Sequence, residues 1–302
     1  MQISMTKLLS KFAILLLNGI ARLPFWLLYF FSDCLYLLVY TVFGYRKKVV
    51  RLNLANSFPN KNAQELLEIE RDFYRNLCDT IIETIKSTHI TEKEIKQRVS
   101  LVNEAYVADL YAKNKKIFAM QGHYANWEWP ALAWCLLYPG KSIGIYKPLT
   151  NPFFDQYYFD FRSRFGMLPV AMNEVARTLI AKRNEAYTLG IISDQTPVDT
   201  DAAYWTTFLN QPTAVFLGTE KLAKQFDATI LFLKVNRIKR GFYEMEMVPI
   251  CENPKESDLY EITEKHVRYL ESIILAKPAD WLWSHRRWKH QPSAENKQKF
   301  QL

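Results

Sequence analysis

The segment KIFAMQGHYANWE, residues 116–128, carries an apolar run into Gly122 and His123, and Glu128 follows five positions after the histidine. Five residues turn through about 140° on an ideal helix, so an imidazole and a carboxylate at this spacing would point apart if both were helical. The pair can work together only if His123 lies in the turn after a strand and Glu128 opens the following helix, with its carboxylate folded back toward the ring. So arranged, Glu128 would fix the imidazole tautomer and stabilise the imidazolium, which suits His123 to general-base proton abstraction. The same spacing also fits a capping or core histidine beside an unrelated helix-start glutamate. No metal site is expected, because His89, His266, His285 and His290 do not stand at ligand spacing from His123, and Cys34, Cys78, Cys135 and Cys251 are dispersed. The chain has no G-x-S-x-G, G-x-G-x-x-G or G-x-x-x-x-G-K-[ST] segment, which argues against serine hydrolases, dinucleotide oxidoreductases and P-loop NTPases.

The elements that must hold such a turn alternate along the chain. Apolar runs at 117–120, 142–146, 168–171 and 186–192 read as strands, and amphipathic stretches at 127–137, 151–165 and 174–183 read as the helices between them. Residues 214–226 read as helical, 228–235 and 242–248 as a hairpin, and 259–275 as a long late helix. This alternation implies an α/β domain whose mixed sheet is flanked by helices. Composition agrees: 302 residues at 49% hydrophobic and 23% charged can bury a large core and exclude a disordered chain or a disulfide miniprotein.

Residues 12–43, FAILLLNGIARLPFWLLYFFSDCLYLLVYTVF, contain only Arg22 and Asp33 as charges and read as an N-terminal hydrophobic membrane-anchoring helical segment. A helix from Pro24 to Phe43 would be about 30 Å long, enough to cross hydrocarbon, but Asp33 near its centre would cost about 2.5 to 3.5 kcal/mol. Basic residues flank both ends, with Lys7 and Lys11 before and Arg46, Lys47, Lys48 and Arg51 after, whereas a single crossing concentrates them on one side. A single span and a monotopic insertion by two helices therefore both remain open. The reading divides the chain into an anchor over 1–50 and a catalytic domain over 51–302, with a helical lead-in to about 113. The net charge of +8 is gathered at the two ends. That distribution suits an anionic lipid surface and does not favour nucleic acid.

GHYANWEW at 122–129, IYKPLTNP at 145–152, FRSRFG at 161–166, ISDQT at 192–196 and WLWSHRRWK at 281–289, preceded by RLNLANSFP at 51–59, together resemble the late acyltransferases of lipid A biosynthesis, the lauroyl/myristoyl transferase family. The resemblance covers most of the chain, in the family's order. It implies a catalytic dyad at His123 and Glu128, and substrate contacts at Arg162 or Arg164 and at Asp194. Arg164 is the better candidate of the two arginines, and Lys147 is a further basic residue near the cleft. The implied reaction moves a fatty acyl chain from an acyl carrier protein or coenzyme A thioester to a hydroxyl of a lipid A precursor, without a cofactor, at the cytoplasmic side of the inner membrane. Gln195 and Thr196 stand where the family often has a second acidic residue. A lysophospholipid or an amino-acid lipid is the alternative acceptor, and a non-catalytic membrane-bound lipid-binding protein is the alternative of another class. The aromatic and basic 281–289 segment, with His285, Arg286, Arg287 and Lys289, is expected to form a rim at the membrane.

Overall fold

The computed structural model describes residues 2–197 and 199–301. Helix α1 (Gln2–Ala21) turns at Pro24 into α2 (Phe25–Tyr36), which continues as a wider helical turn over Leu37–Val42. Helices α3 (Lys47–Ser57), α4 (Ala63–Lys86) and α5 (Glu92–Arg98) lead to a short strand β1 (Val99–Leu101) and α6 (Glu104–Ala112). Asn62 starts α4: its side chain accepts from the Gln64 and Glu65 amides while Glu65 returns a bond to the Asn62 amide, satisfying donors that a helix start leaves free. The central region runs β2 (Ile117–Gln121), α7 (Trp129–Leu137), β3 (Ser142–Tyr146), α8 (Pro152–Ser163), β4 (Leu168–Ala171), α9 (Val175–Ala181) and β5 (Thr188–Ile192). A separate hairpin, β6 (Tyr204–Phe208) with β7 (Gln211–Val215), precedes α10 (Gly218–Phe226). The long strands β8 (Thr229–Lys239) and β9 (Phe242–Cys251), then α11 (Glu261–Ala276) and α12 (Ala294–Phe300), complete the chain.

The main sheet has the order β1-β9-β8-β2-β5-β3-β4. It is mixed: β8 and β9 are antiparallel, and every other neighbouring pair is parallel. Strand β2 lies in the middle and is buried along its whole length, as a parallel strand covered on both faces must be. After β2 the chain crosses through α7 to β3 on one side; after β5 it crosses through α10 to β8 on the other. The crevice between the C-terminal ends of β2 and β5 is therefore a topological switch point, where open α/β sheets bind ligands.

The apolar N-terminal segment is seated on the body. Phe25–Val42 has a mean hydropathy of 1.6 and is only 17% buried, so it is apolar enough to cross a membrane and is not a core helix. Yet the Tyr29 hydroxyl donates to Glu83 at 2.8 Å, Ser32 donates to Asp79 at 2.6 Å, and Asp33 pairs with Arg240 at 2.6 Å. Asp79 also receives Arg240 at 2.6 Å and the guanidinium of Arg237. Asp33, expected to burden a span, is thus neutralised by the β8–β9 turn. The remaining face, with Trp26, Phe30, Phe31, Leu37 and Val42, is exposed, as are Leu8, Phe12 and Leu15 on α1.

Two sequence expectations are corrected. Residues 214–217 are not helical: Val215 ends β7, which pairs with β6 through Leu209 and Asn210, both at positive φ of 49° and 62°. The 281–289 segment is not a membrane rim. Trp281 and Trp283 are buried, Trp283 completely, and Arg287 is buried with one nitrogen donating to the Ala214 carbonyl at 2.6 Å. This segment packs beneath the His123 turn: Tyr124 bridges to Trp281, and the Leu282 amide donates to the His123 carbonyl at 3.1 Å.

Candidate active site

Strands β2 and β5 pair in parallel with Gln121 opposite Ile192, so residues two positions further on, His123 and Asp194, leave the sheet side by side. His123 Nδ1 lies 2.7 Å from Asp194 Oδ1. Asp194 Oδ2 accepts the His123 backbone amide at 2.8 Å and the Trp281 indole N–H at 2.9 Å. The carboxylate is almost fully buried, so three donors on its two oxygens are what make its charge tolerable. Burial alone would raise its pKa, but the His123 ring, the His123 amide and Trp281 outweigh it and hold the carboxyl well below the usual carboxylate range.

An ionised Asp194 can only accept, so Nδ1 carries the proton of the neutral ring and donates it in this hydrogen bond, which leaves the lone pair on Nε2. The Gln195 amide nitrogen stands 3.4 Å from Nε2, and the Trp127 indole packs edge-on to the ring at 5.0 Å between centroids. Burial would depress the imidazolium, but Asp194 first and Glu128 second overcome it, and the His123 pKa is raised above its ordinary 6.5. Gly122 makes the close approach possible: a Cβ there would stand 2.9 Å from Leu270 Cδ1 and 3.2 Å from Asp194 Oδ2.

Glu128 does not hold the imidazole, contrary to what its spacing suggested. Ala125 has a left-handed φ of 52° and donates its amide to the Asp280 carbonyl at 2.8 Å, which swings the chain away from His123. Asn126 Oδ1 then accepts the Glu128 and Trp129 amides at 3.0 and 2.9 Å, and its Nδ2 donates to the buried Glu83 at 2.7 Å. Glu128 therefore begins α7 with its carboxylate on Arg162 of α8, at 2.7 Å to Nη2 and 3.4 Å to Nε. Its charge still reaches the ring through space, as the raised His123 pKa records.

The two arginines part company. Arg162 enters the cleft, whereas Arg164 donates to the Ser87 and Ile90 carbonyls at 2.6 and 2.8 Å and ties α8 to the end of α4 outside it. Two positions on a helix differ by about 200° in direction, which is why one can be in the cleft and the other bound to backbone. Lys147 is exposed on the wall of the cleft.

Three hollows meet at Trp127 and Arg162. An outer cleft of about 760 Å³ is lined by His123, Lys147, Tyr158, Met172 and Leu222. A second, of about 900 Å³, runs from Glu128 and Gln195 toward the apolar helices, with Leu17, Val39, Phe43 and Arg46 on its walls. The third, of about 90 Å³, lies between the sheet and α7. Its floor is a row of small in-register residues, Ala119, Gly190 and Gly144, and its wall is the α7 face of Glu128, Ala131 and Trp134.

His285 lines the second cleft, and burial pushes its imidazolium down to about 4, so it is neutral at pH 7. Asp194 was foreseen only as a substrate contact. The signal for its partnership with His123 was the offset of two residues that both share from their strands. Trp281 and Asn126, which orient the carboxylate and the turn, had no such signal.

The family profile of bacterial lipid A biosynthesis acyltransferases matches residues 3–290. The lipid A biosynthesis lauroyltransferase of Escherichia coli (strain K12) is 23% identical over 250 residues, covering 82% of this chain and 80% of that protein. The palmitoleoyltransferase of the same strain is 21% identical over 260 residues, covering 83% and 81%. The lipid A biosynthesis acyltransferase of Shigella flexneri matches at the same identity and length.

Proposed function

Because the chain belongs to the bacterial lipid A biosynthesis acyltransferase family and is accordingly an O-acyltransferase, we propose that His123 Nε2 is the base that deprotonates a hydroxyl of a lipid A precursor as it attacks a fatty acyl thioester of acyl carrier protein or coenzyme A. The observation that carries this reading is the His123–Asp194 pair at the switch point, which ties up Nδ1 and leaves Nε2 of the neutral ring as the available base beside the outer cleft. The hydroxyl oxygen forms its bond to the acyl carbon as its proton passes to Nε2. The carbon–sulfur bond then breaks, and the imidazolium returns that proton to the leaving thiolate. Asp194 stabilises the imidazolium meanwhile. Base assistance of this kind supplies about 10²- to 10⁴-fold.

Arg162 is charged and lines the same cleft as His123, where it can stabilise negative charge developing on the thioester oxygen, and Glu128 holds it there. The outer cleft of about 760 Å³ that His123 lines has room for the acyl chain. The acceptor enters through the cleft lined by α1 and Phe43, with Arg46 facing its anionic head group. Because Tyr29 and Ser32 bind α2 to Glu83 and Asp79 of α4, and Asp33 binds it to Arg240 of the β8–β9 turn, a crossing by α2 would drag Asp79, Glu83 and Arg240 toward the hydrocarbon. Shallow insertion of the exposed faces of α1 and α2 from the cytoplasmic side of the inner membrane avoids that cost.

Purified protein supplied with labelled acyl carrier protein thioester and an acylated glucosamine disaccharide should yield a product heavier by one acyl chain, with only trace product from His123→Ala. Equal turnover by His123→Ala would refute the role of the base, and transfer to lysophospholipid instead would refute the acceptor.

A further inference from the structure

Next to Asp194, α11 and the 281–289 segment close a further hollow of about 10 Å³, the size of a single water. Its polar walls are Ser193, Asp194, His266 and Arg287, and Phe208 and Leu270 stand among its apolar ones. Arg287 is 4% exposed, and while its Nη2 donates to the Ala214 carbonyl, its Nε and Nη1 have no hydrogen-bond partner among the described residues. His266 is buried too, with Nε2 3.4 Å from Ser193 Oγ and Nδ1 without a partner among the described residues. Burial pushes the Arg287 guanidinium down to about 10, so it is still charged at pH 7. A buried guanidinium with two unpaired donors is strongly destabilising unless a ligand satisfies it.

The carboxylate on the same hollow has room for one more donor. A carboxylate accepts about four, and three are placed: His123 Nδ1 on Oδ1, and the His123 amide and Trp281 indole on Oδ2. The position left is on Oδ1, the oxygen that holds the imidazole. A small anion in the hollow would confront that carboxylate, so the ligand that fits is neutral. Water can accept from Arg287 and donate to Asp194, and it serves either tautomer of His266, whose imidazolium burial pushes down to about 4.

We infer that one ordered water occupies this hollow and joins the Arg287 guanidinium to Asp194, which makes Arg287 a positioning residue: its charge keeps the carboxylate ionised, and the bridge aims Oδ1 at His123. The inference rests on the reading of His123 as the base and adds a residue that acts on that base through Asp194. The other groups facing the pair do not duplicate the charge of Arg287. Glu128 of α7 and Arg162 of α8 bind each other, and Asp280, beside His123 on its other side, accepts from Asn76 at 2.8 Å. His266 of α11 and His285 are neutral at pH 7, because burial holds both imidazoliums down at about 4.

The test is the pH dependence of acyl transfer by Arg287→Met, Arg287→Gln and Arg287→Lys, each compared at equal folded fraction. Removing a cation one water away from Asp194 favours the imidazolium, so the acid limb of kcat/KM should move to higher pH by about one unit in the Met and Gln variants. Arg287→Lys keeps the charge and should keep the limb in place. A limb that is unmoved or shifted down in a folded neutral variant would overturn the inference, since loosened packing alone weakens the His123–Asp194 bond and lowers the limb. The same upward shift in Arg287→Lys would overturn it too. If neither neutral variant folds, electron density in a crystal of the wild-type protein decides: a water touching Arg287 and Asp194 is expected, and a dry hollow would overturn the inference. Wild-type turnover by His123→Ala would remove the base reading itself, whereas an unmoved limb beside an inactive His123→Ala strikes only the role of Arg287.

Discussion

Replacement of Asp194 by Asn tests the site with almost no change of shape. In the native site Oδ2 faces two donors whose positions are fixed, the His123 backbone amide at 2.8 Å and the Trp281 indole at 2.9 Å. The asparagine oxygen must occupy that position, since an NH₂ there would confront two N–H groups, so the NH₂ is directed at His123 Nδ1. Nδ1 then becomes the acceptor, the ring proton moves to Nε2, and the base is lost although every heavy atom remains close to its place. A reversed tautomer of this kind costs about 10⁴-fold in kcat where it has been isolated in a histidine–aspartate pair. A loss of about 10³- to 10⁴-fold is expected here, with stability changed by only a few kcal/mol.

The pH dependence adds a second reading. Asp194 helps raise the His123 pKa, so wild-type kcat/KM should climb with pH through a value above 6.5, as the imidazolium loses its proton. Without the carboxylate that limb should move to lower pH. Initial rates of acyl transfer between pH 5 and 9 measure both. A variant within ten-fold of wild type, or one whose acid limb stays in place, would refute the assignment of Asp194 as the partner of His123.

Other perturbations give distinct outcomes. Gly122→Ala places a methyl 3.2 Å from Asp194 Oδ2 and 2.9 Å from Leu270, so kcat should fall at least about ten-fold while a denaturation midpoint records a loss of about 1 to 3 kcal/mol. Arg162→Met leaves the mostly buried Glu128 without its cation and should destabilise by about 3 kcal/mol in urea unfolding, more than Glu128→Gln, which leaves no carboxylate charge unpaired. Membrane-impermeant labelling of single cysteines at Lys7 and Lys48 in intact inner-membrane vesicles should modify both positions from the cytoplasmic side and neither from the other; opposite sidedness would establish a crossing. Glu83→Ala strips partners from Tyr29, Tyr243 and Asn126 together and should lower activity through the Asn126 turn, whereas Glu83→Gln should retain more of it, measured as kcat at equal folded fraction.

The alternation of strands and helices was legible because β2, β3, β4 and β5 are short apolar runs closed by turn residues; β3 and β4 lie within the ranges their sequences predict. The β6–β7 hairpin was not. Its strands carry Thr206, Thr207 and Pro212, and its turn uses Leu209 and Asn210 in place of the Asn-Gly that announces such turns. At the site, His123 was visible from its position after an apolar strand. The identity of its partner was not, because strand pairing sets it: β5 lies beside β2 although β3 and β4 come between them in the chain. Glu128 misled for a local reason, since the left-handed Ala125 and the Asn126 bonds redirect the chain within the five-residue interval. On α4, Asp79 and Glu83 are buried by partners distant in the chain, Tyr29 and Ser32 of α2 together with Asn126, Tyr243, Arg237 and Arg240, which no local spacing announces.

The most direct measurement is a ¹⁵N titration of the His123 ring by NMR in the detergent-solubilised wild-type protein, with His123→Gln to assign the resonance. A neutral ring protonated at Nδ1 and bare at Nε2, reached with a pKa above 6.5, is the expected result. A neutral ring protonated at Nε2, or a pKa below 6.5, would contradict the assignment of His123 as an Asp194-held base.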